Sequence, residues 1–147
     1  MLRPFHRPRL WLGIWIGGWV LCIALSLLPA PAMPVPVGND KVGHFLAYFV
    51  LSAWATQIFA SRRARWSAAG ALLALGAGME AGQWLLTSTR MAEPADLLAN
   101  CVGILLGLVP ATSAWSARLL LRLDARLFAA GEWGRVARNG ERAGSDT

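Results

Sequence analysis

Three polar residues, His44, Glu80 and Asn100, lie within stretches of the sequence that are otherwise apolar. A glutamate inside a membrane span costs on the order of 2.5–3.5 kcal/mol on insertion scales, so its side chain must face partners and not lipid. A buried carboxyl group near an imidazole can act as a base or a proton carrier. The alternative is a structural hydrogen-bond network that links Glu80 to His44 or Asn100.

The other candidate residues lie near the same ends of these apolar stretches. They are Asp40, Lys41 and Tyr48 around His44, Gln83 beside Glu80, Arg90 in a loop, and Asp96 before Asn100. At about 1.5 Å per helical residue, they all fall in the same outer third of a bilayer. Helix N-termini, Lys41, Arg90 and a protonated His44 would together attract an anion, such as a lipid phosphate or a lipid-linked glycan head group.

Several of these residues also have simpler explanations. Asp40 could cap a helix, and Asp96 could complement a helix dipole. Lys41 and Arg90 could be interface anchors whose charged ends reach water. Tyr48 could be an ordinary interfacial aromatic residue. These alternatives stay open from the sequence alone.

Metal and disulfide chemistry are not expected. One histidine and scattered acidic residues lack a ligand spacing typical of a metal site, so we predict no metal and no cofactor. Cys22 and Cys101 each lie in an apolar stretch and are interpreted as small packing residues. A disulfide between them is the alternative, which spacing alone cannot decide.

The composition favours a membrane protein. Hydrophobic residues make up 56% and charged residues 15% of the 147 residues, whereas an ordinary soluble domain has about 25% charged residues. The net charge of +6 does not indicate a nucleic-acid partner, because the arginines flank the apolar stretches and form no basic patch with interleaved aromatic residues.

The apolar stretches predict an all-α fold, an integral membrane four-helix bundle with a C-terminal cytoplasmic amphipathic helix. We expect spans at residues 10–28, 42–60, 66–86 and 95–112, within a membrane domain of residues 10–114. Residues 62–65 are predicted to form a tight basic turn. Arg118, Arg122 and Arg126 recur every four residues and indicate an amphipathic surface helix at 115–130. Residues 131–147 are expected to be disordered.

Loop charge predicts the orientation. The N-terminus (residues 1–9), the turn after the second span and the C-terminal segment are basic, whereas the other two loops are nearly neutral. We therefore expect a multi-pass protein of the cytoplasmic membrane with both termini in the cytoplasm. The alternative for the first span is a cleaved signal peptide, because residues 30–32 resemble a cleavage site.

Glycines recur at a spacing that lets membrane helices approach closely. The pairs are Gly13 and Gly17, Gly78 and Gly82, and Gly103 and Gly107. Packing within one bundle is the interpretation, and dimerisation is the alternative; the oligomeric state stays open.

The ordered set of polar residues resembles the VanZ-like family of small membrane proteins. The most specific part is Asp96-Leu97-Leu98-Ala99-Asn100 followed by Gly103, and the resemblance covers residues 38–108. It departs from the family pattern at residues 87–89, where a proline is common, and at Glu93-Pro94. The founding member of the family is associated with teicoplanin resistance. The resemblance implies that the polar residues form the functional site.

These considerations predict a protein that binds, and in one version also modifies, an anionic lipid or lipid-linked cell-envelope precursor at the outer membrane face. Whether it is an enzyme stays open. We assign proton transfer to Glu80 and His44, with Asp96 as a third candidate catalytic residue. The candidate substrate-binding residues are Lys41 and Arg90 for phosphate, Asn100 and Gln83 for orientation, and Asp40 and Tyr48.

Two alternatives belong to other classes of function. One is a non-catalytic membrane protein that alters glycopeptide antibiotic access by binding envelope components or a membrane-protein partner. The other is a small-ion transporter. It is disfavoured because Thr56 and Gln57 are the only polar candidates in the inner half of the predicted bundle.

Overall fold

The computed structural model describes residues 1–27, 39–86, 93–109 and 118–128. These residues form α1 (Pro8–Leu27), α2 (Asn39–Ile58), α3 (Arg62–Leu86), α4 (Pro94–Gly107) and α5 (118–128). Within the described residues the only β-structure is one isolated bridge between Leu2 and Phe59. The predicted all-α class is confirmed.

Several helix boundaries differ from the predicted spans, most clearly in α2, α3 and α4. Helix α2 begins at Asn39, so Lys41 belongs to its first turn. Helix α3 begins at Arg62 and not at residue 66, because the hydroxyl of Ser61 accepts a hydrogen bond of 3.2 Å from the backbone N–H of Ala64 and caps the helix there. The predicted basic turn is therefore helical. Helix α4 starts at Pro94 and ends at Gly107, earlier than residue 112.

The closest helix packing joins α2 to α4. A Cβ atom on Gly103 would overlap the carbonyl oxygen of Phe45, and one on Gly107 would lie 2.6 Å from the carbonyl oxygen of Phe49. This pair packs within the bundle, as predicted. A Cβ atom on Gly13 or Gly17 would meet nothing within 4 Å, so the described residues show no close helix packing at that pair.

Helix α5 is anchored to the start of α1 by a buried carboxylate. The side chain of Asp124, 1% exposed, accepts hydrogen bonds from the backbone N–H groups of His6 and Arg7 and, at 2.7 Å, from Nε1 of Trp11. The three predicted arginines of this helix are exposed. The amphipathic pattern is thus present over 118–128, while residues 131–147 lie outside the described part of the chain.

The N-terminal segment closes the same end of the bundle. The backbone N–H of Arg3 donates 2.9 Å to the carbonyl of Ile58, and that of Ala60 donates 3.1 Å to the carbonyl of Met1. Residues 1–9, the α2–α3 turn and α5 therefore gather at one end. The N-termini of α2 and α4 lie at the other.

One helix among the described residues is long and apolar enough to cross a membrane: Pro8–Ser26, with a mean hydropathy of 1.6. Helix α4 is apolar but shorter. Helices α2 and α3 are not apolar enough over their described residues, and their sequences contain charged residues such as Lys41, Arg62 and Glu80. The four-span arrangement therefore stays a prediction.

Candidate functional site

Two hydrogen bonds join three helices at the end opposite α5. Nζ of Lys41, in the first turn of α2, donates 2.7 Å to Oε2 of Glu93, the residue that precedes α4. The backbone N–H of Glu93 donates 3.2 Å to Oε2 of Glu80, in the C-terminal part of α3. Lys41 and Glu80, both predicted to lie near one end of the bundle, therefore share that end.

Three titratable side chains converge just inside this end. One ligand atom each of His44, Glu80 and Asp96 lies within 4.8 Å of the others. Glu80 is 8% exposed and Asp96 is 5% exposed, whereas His44 is half-buried. Each comes from a different helix, so only the packing of α2, α3 and α4 brings them together.

Asn100 holds the imidazole of His44. Its side chain is 1% exposed, and its Oδ1 lies 3.2 Å from Nδ1 of His44. An amide oxygen only accepts hydrogen bonds, so with this amide orientation Nδ1 carries the proton. In the neutral ring the lone pair then lies on Nε2. A neutral imidazole in this tautomer is both a base and a possible metal ligand.

Tyr48 and Gly76 complete the wall behind Asn100. Tyr48 is 2% exposed, which contradicts its interpretation as an ordinary interfacial aromatic residue. A Cβ atom on Gly76 would lie 3.0 Å from Nδ2 of Asn100 and 3.4 Å from the hydroxyl of Tyr48. The absence of a side chain at Gly76 therefore gives the amide its space.

Lys41 provides a positive charge at the rim. Its Nζ lies 3.7 Å from Oδ1 of Asp96, in addition to its hydrogen bond with Glu93. That hydrogen bond, and the nearby charges of Asp96 and Glu93, raise the pKa of Lys41 above its usual value. The same hydrogen bond lowers the pKa of Glu93. Lys41 therefore binds carboxylates here, which goes beyond the role of an interface anchor.

Asp96 can complement the helix dipole and face the site at once. It lies in the first turn of α4, where a carboxylate is favourable. Its Oδ1 is buried and accepts no hydrogen bond from the described residues. Glu93 is the N-cap residue of α4, but its side chain makes no hydrogen bond to the helix. Helix capping therefore occupies neither the carboxylate of Glu93 nor that of Asp96.

A cleft of 190 Å³ opens beside the site between α1 and α2. Its lining includes Cys22 and Ser26 from α1 and His44, Ala47 and Tyr48 from α2. The imidazole of His44 therefore borders a cleft at the side of the bundle. Both Cys22 and Cys101 are free thiols, so the alternative of a disulfide is wrong.

Some predicted site residues are not described. Arg90 lies outside the described residues, as do the side chains of Asp40 and Gln83, whose backbones belong to α2 and α3. Conversely, Glu93 and Gly76 were not among the predicted site residues. The position of Glu93 directly before Pro94, which starts a helix, was the available signal for a residue at the mouth of the site.

Comparisons of this chain with protein-family models, curated proteins and solved structures give no match. The resemblance to the VanZ-like family therefore rests on the residues quoted for it.

Proposed function

We propose that this protein is a VanZ-like multi-pass protein of the cytoplasmic membrane that binds the phosphate-bearing head group of a lipid or lipid-linked envelope precursor at the outer face. One observation carries the proposal: Lys41, His44, Glu80, Asp96 and Asn100, from three helices, meet at a single end of the bundle. Glu80 and His44 are the groups that would move protons if the head group is also modified.

The distribution of side chains supports a membrane location. Large apolar residues face outward on several helices; they include Val20 at 61%, Leu25 at 59%, Leu85 at 69%, Leu98 at 64% and Leu105 at 57% exposed. Glu80, Asp96 and Asn100 are instead buried between the helices. Polar groups inside and apolar groups outside are typical of helices in lipid.

The positions of the charges support the orientation. Arginines at residues 3–9, 62–65 and 118–126 belong to the end of the bundle that α5 covers. The positive-inside bias assigns that end to the cytoplasm, which leaves the site at the outer face. Helix α2 has 20 residues, a length of about 30 Å, and this matches the hydrocarbon thickness of a bilayer.

The rim of the site supports an anionic ligand. Lys41 is 44% exposed and lies between the N-termini of α2 and α4, whose N–H groups favour negative charge. A head group that enters from the outer leaflet would meet this ammonium group first.

The transporter alternative gains no support from the inner half of the bundle. The hydroxyl of Thr56 donates a hydrogen bond of 2.7 Å to the carbonyl of Ala53 in its own helix.

Binding can be tested with the purified full-length chain in detergent. Native mass spectrometry would compare a polyprenyl phosphate, phosphatidylglycerol and phosphatidylcholine as added lipids. We expect a phosphate-bearing anionic lipid to bind best and Lys41→Gln to weaken it about 10-fold, the effect of losing one charged hydrogen bond. Arg126→Gln, an exposed cation at the other end, is the matched control. Equal losses in both variants, or equal binding of phosphatidylcholine, would overturn the proposal.

Chemistry at the head group needs a separate experiment. Cells that lack the protein would be complemented with the wild type or with Glu80→Gln, and their lipid and precursor profiles compared. A catalytic site predicts that only the wild type restores the profile. Identical restoration by both would exclude acid–base chemistry at Glu80 and favour the non-catalytic binding protein.

A further inference from the structure

We propose that His44, Glu80 and Asp96 form a binding site for a divalent transition-metal ion of the zinc class. The three side chains come from α2, α3 and α4, and one ligand atom of each lies within 4.8 Å of the other two. Ligands at about 2.1 Å from a tetrahedral ion lie about 3.4 Å apart. Side-chain rotations that move each ligand atom by on the order of 1 Å therefore close the set around an ion.

The types of ligand select the class of metal. Mg²⁺ and Ca²⁺ prefer oxygen ligands throughout, whereas an imidazole nitrogen suits Zn²⁺ and its neighbours. One nitrogen and two carboxylates are three protein ligands, the number typical of zinc sites that keep a fourth position open for water or substrate. The site is therefore expected to bind zinc with one position available to another ligand.

The buried carboxylate of Asp96 gives an independent indication of a cation-binding site. The residue is 5% exposed, and its Oδ1 is buried without a hydrogen-bond donor among the described residues. Nζ of Lys41 lies 3.7 Å from this oxygen, beyond hydrogen-bonding distance, and itself bonds to Glu93 at 2.7 Å. Burial of a charged carboxylate beside a second one is costly unless a proton or a positive charge neutralises it, and a metal ion is one such charge.

The surrounding hydrogen bonds are those that orient metal ligands. A histidine ligand usually donates its second ring N–H to an oxygen, which fixes the tautomer. Nδ1 of His44 lies 3.2 Å from Oδ1 of Asn100, so Nε2 is the atom with the lone pair. Oε2 of Glu80 accepts the backbone N–H of Glu93 at 3.2 Å. Two of the three ligands are thus held from outside the site.

A metal ion would also resolve a conflict of charge, and this step rests on the proposed function. Two buried carboxylates repel a phosphate group, whereas a bound divalent ion would neutralise them and offer its open position to a phosphate oxygen. Lys41 would then compete with the ion for Asp96 while contributing to the attraction of the anion. Metal binding by itself does not depend on the identity of the lipid.

The test uses the full-length chain without a polyhistidine tag, purified in detergent and stripped with EDTA. Titration calorimetry with ZnCl₂, supported by elemental analysis, should find about one ion per chain. We expect His44→Gln and Asp96→Asn to weaken binding about 100-fold or more, since even outer hydrogen-bond partners cost 10- to 100-fold. His6→Gln removes the other histidine and should leave binding unchanged. Lys41→Gln should strengthen zinc binding by removing the competing ammonium group.

Cobalt provides a readout that does not depend on the folding of variants. Co²⁺ added to the stripped wild type should give the intense visible absorption of four-coordinate cobalt, and excess Zn²⁺ should abolish it. A wild type that binds neither ion, or folded His44→Gln and Asp96→Asn variants that bind zinc as tightly as the wild type, would overturn the metal site. Anionic lipid binding that persists in EDTA would leave the proposed function intact, whereas zinc binding without lipid binding would remove that function alone.

Discussion

His44 on α2 and Asn100 on α4 are joined side chain to side chain, with 3.2 Å between Nδ1 and Oδ1. Asn100 is almost completely buried, and its Nδ2 finds no acceptor among the described residues. A residue selected only to stabilise the bundle would gain little here, because one half of its amide is unsatisfied. The pair is better explained by the orientation of the imidazole than by stability.

Asn100→Leu should separate these two explanations. Leucine has the same number and branching of side-chain heavy atoms, with bulkier methyl ends, and removes the unsatisfied amide, so we expect the midpoint of thermal unfolding to change only modestly. His44 would lose the acceptor that fixes its tautomer, and zinc affinity should fall about 10- to 100-fold. Tryptophan fluorescence during heating and zinc calorimetry give the two readings. A strong loss of stability with unchanged metal affinity would favour a structural network.

The close packing of α2 against α4 predicts that alanine destabilises the protein at Gly107, which lies in this contact, but not at Gly13, which lies outside it. Gly107→Ala places a methyl group 2.6 Å from a backbone oxygen of α2. The helices must then move apart, at a cost of about 1–3 kcal/mol in the free energy of unfolding. Gly13→Ala is the matched control, because its methyl group meets nothing within 4 Å and alanine favours a helix. Thermal unfolding in detergent measures both, and equal effects would contradict close packing at Gly107.

The anchor of α5 predicts a large effect from one buried acid. Asp124→Ala removes the acceptor for two backbone N–H groups and for Nε1 of Trp11. Leaving such donors without a partner should cost on the order of 2–3 kcal/mol. Hydrogen exchange should then rise in α5 and in the first turn of α1. Arg122→Gln, an exposed change on the same helix, should leave both unaffected; exchange that is equal in the two variants would disprove the anchor.

The Lys41–Glu93 pair predicts a small dependence of stability on pH. The pKa of Glu93 is below its usual 4.5, so its contribution is complete above that value and is lost as pH falls through the lowered pKa. The pKa of Lys41 is above its usual 10.5, so its contribution is complete below that value and is lost as pH rises through the raised pKa. Both side chains are substantially exposed, so salt should weaken the effect.

The contribution of the Lys41–Glu93 pair to stability can be measured by comparing the unfolding midpoints of the wild type and of Glu93→Gln across a range of pH. Their difference should be constant between pH 5 and 10 at low salt, and should shrink outside this range as the wild type loses the pair. A difference that does not change with pH would mean that the variant acts through some other contact.

The amino-acid sequence alone predicted some features of the fold and of the candidate site and missed others. Apolar runs locate the helices, but the start of α3 depends on the Ser61 cap, which apolar patterning does not detect. The proximity of His44, Glu80 and Asp96 depends on how three helices pack, because sequence spacing fixes geometry only within one helix. Asp124 was missed since an amphipathic pattern assigns charged residues to the exposed face.

Orientation gives the last prediction, and it tests the membrane arrangement itself. In a background that lacks Cys22 and Cys101, single cysteines would replace Lys41 at the site end and Arg62 at the opposite end; both wild-type residues reach solvent. A membrane-impermeant maleimide added to intact cells should label the cysteine at 41, and should label the one at 62 only after permeabilisation, because positive residues favour the cytoplasmic side. Labelling of both positions from the outside would be incompatible with a spanning α2. The reverse pattern would put the site in the cytoplasm, out of reach of an outer-leaflet head group.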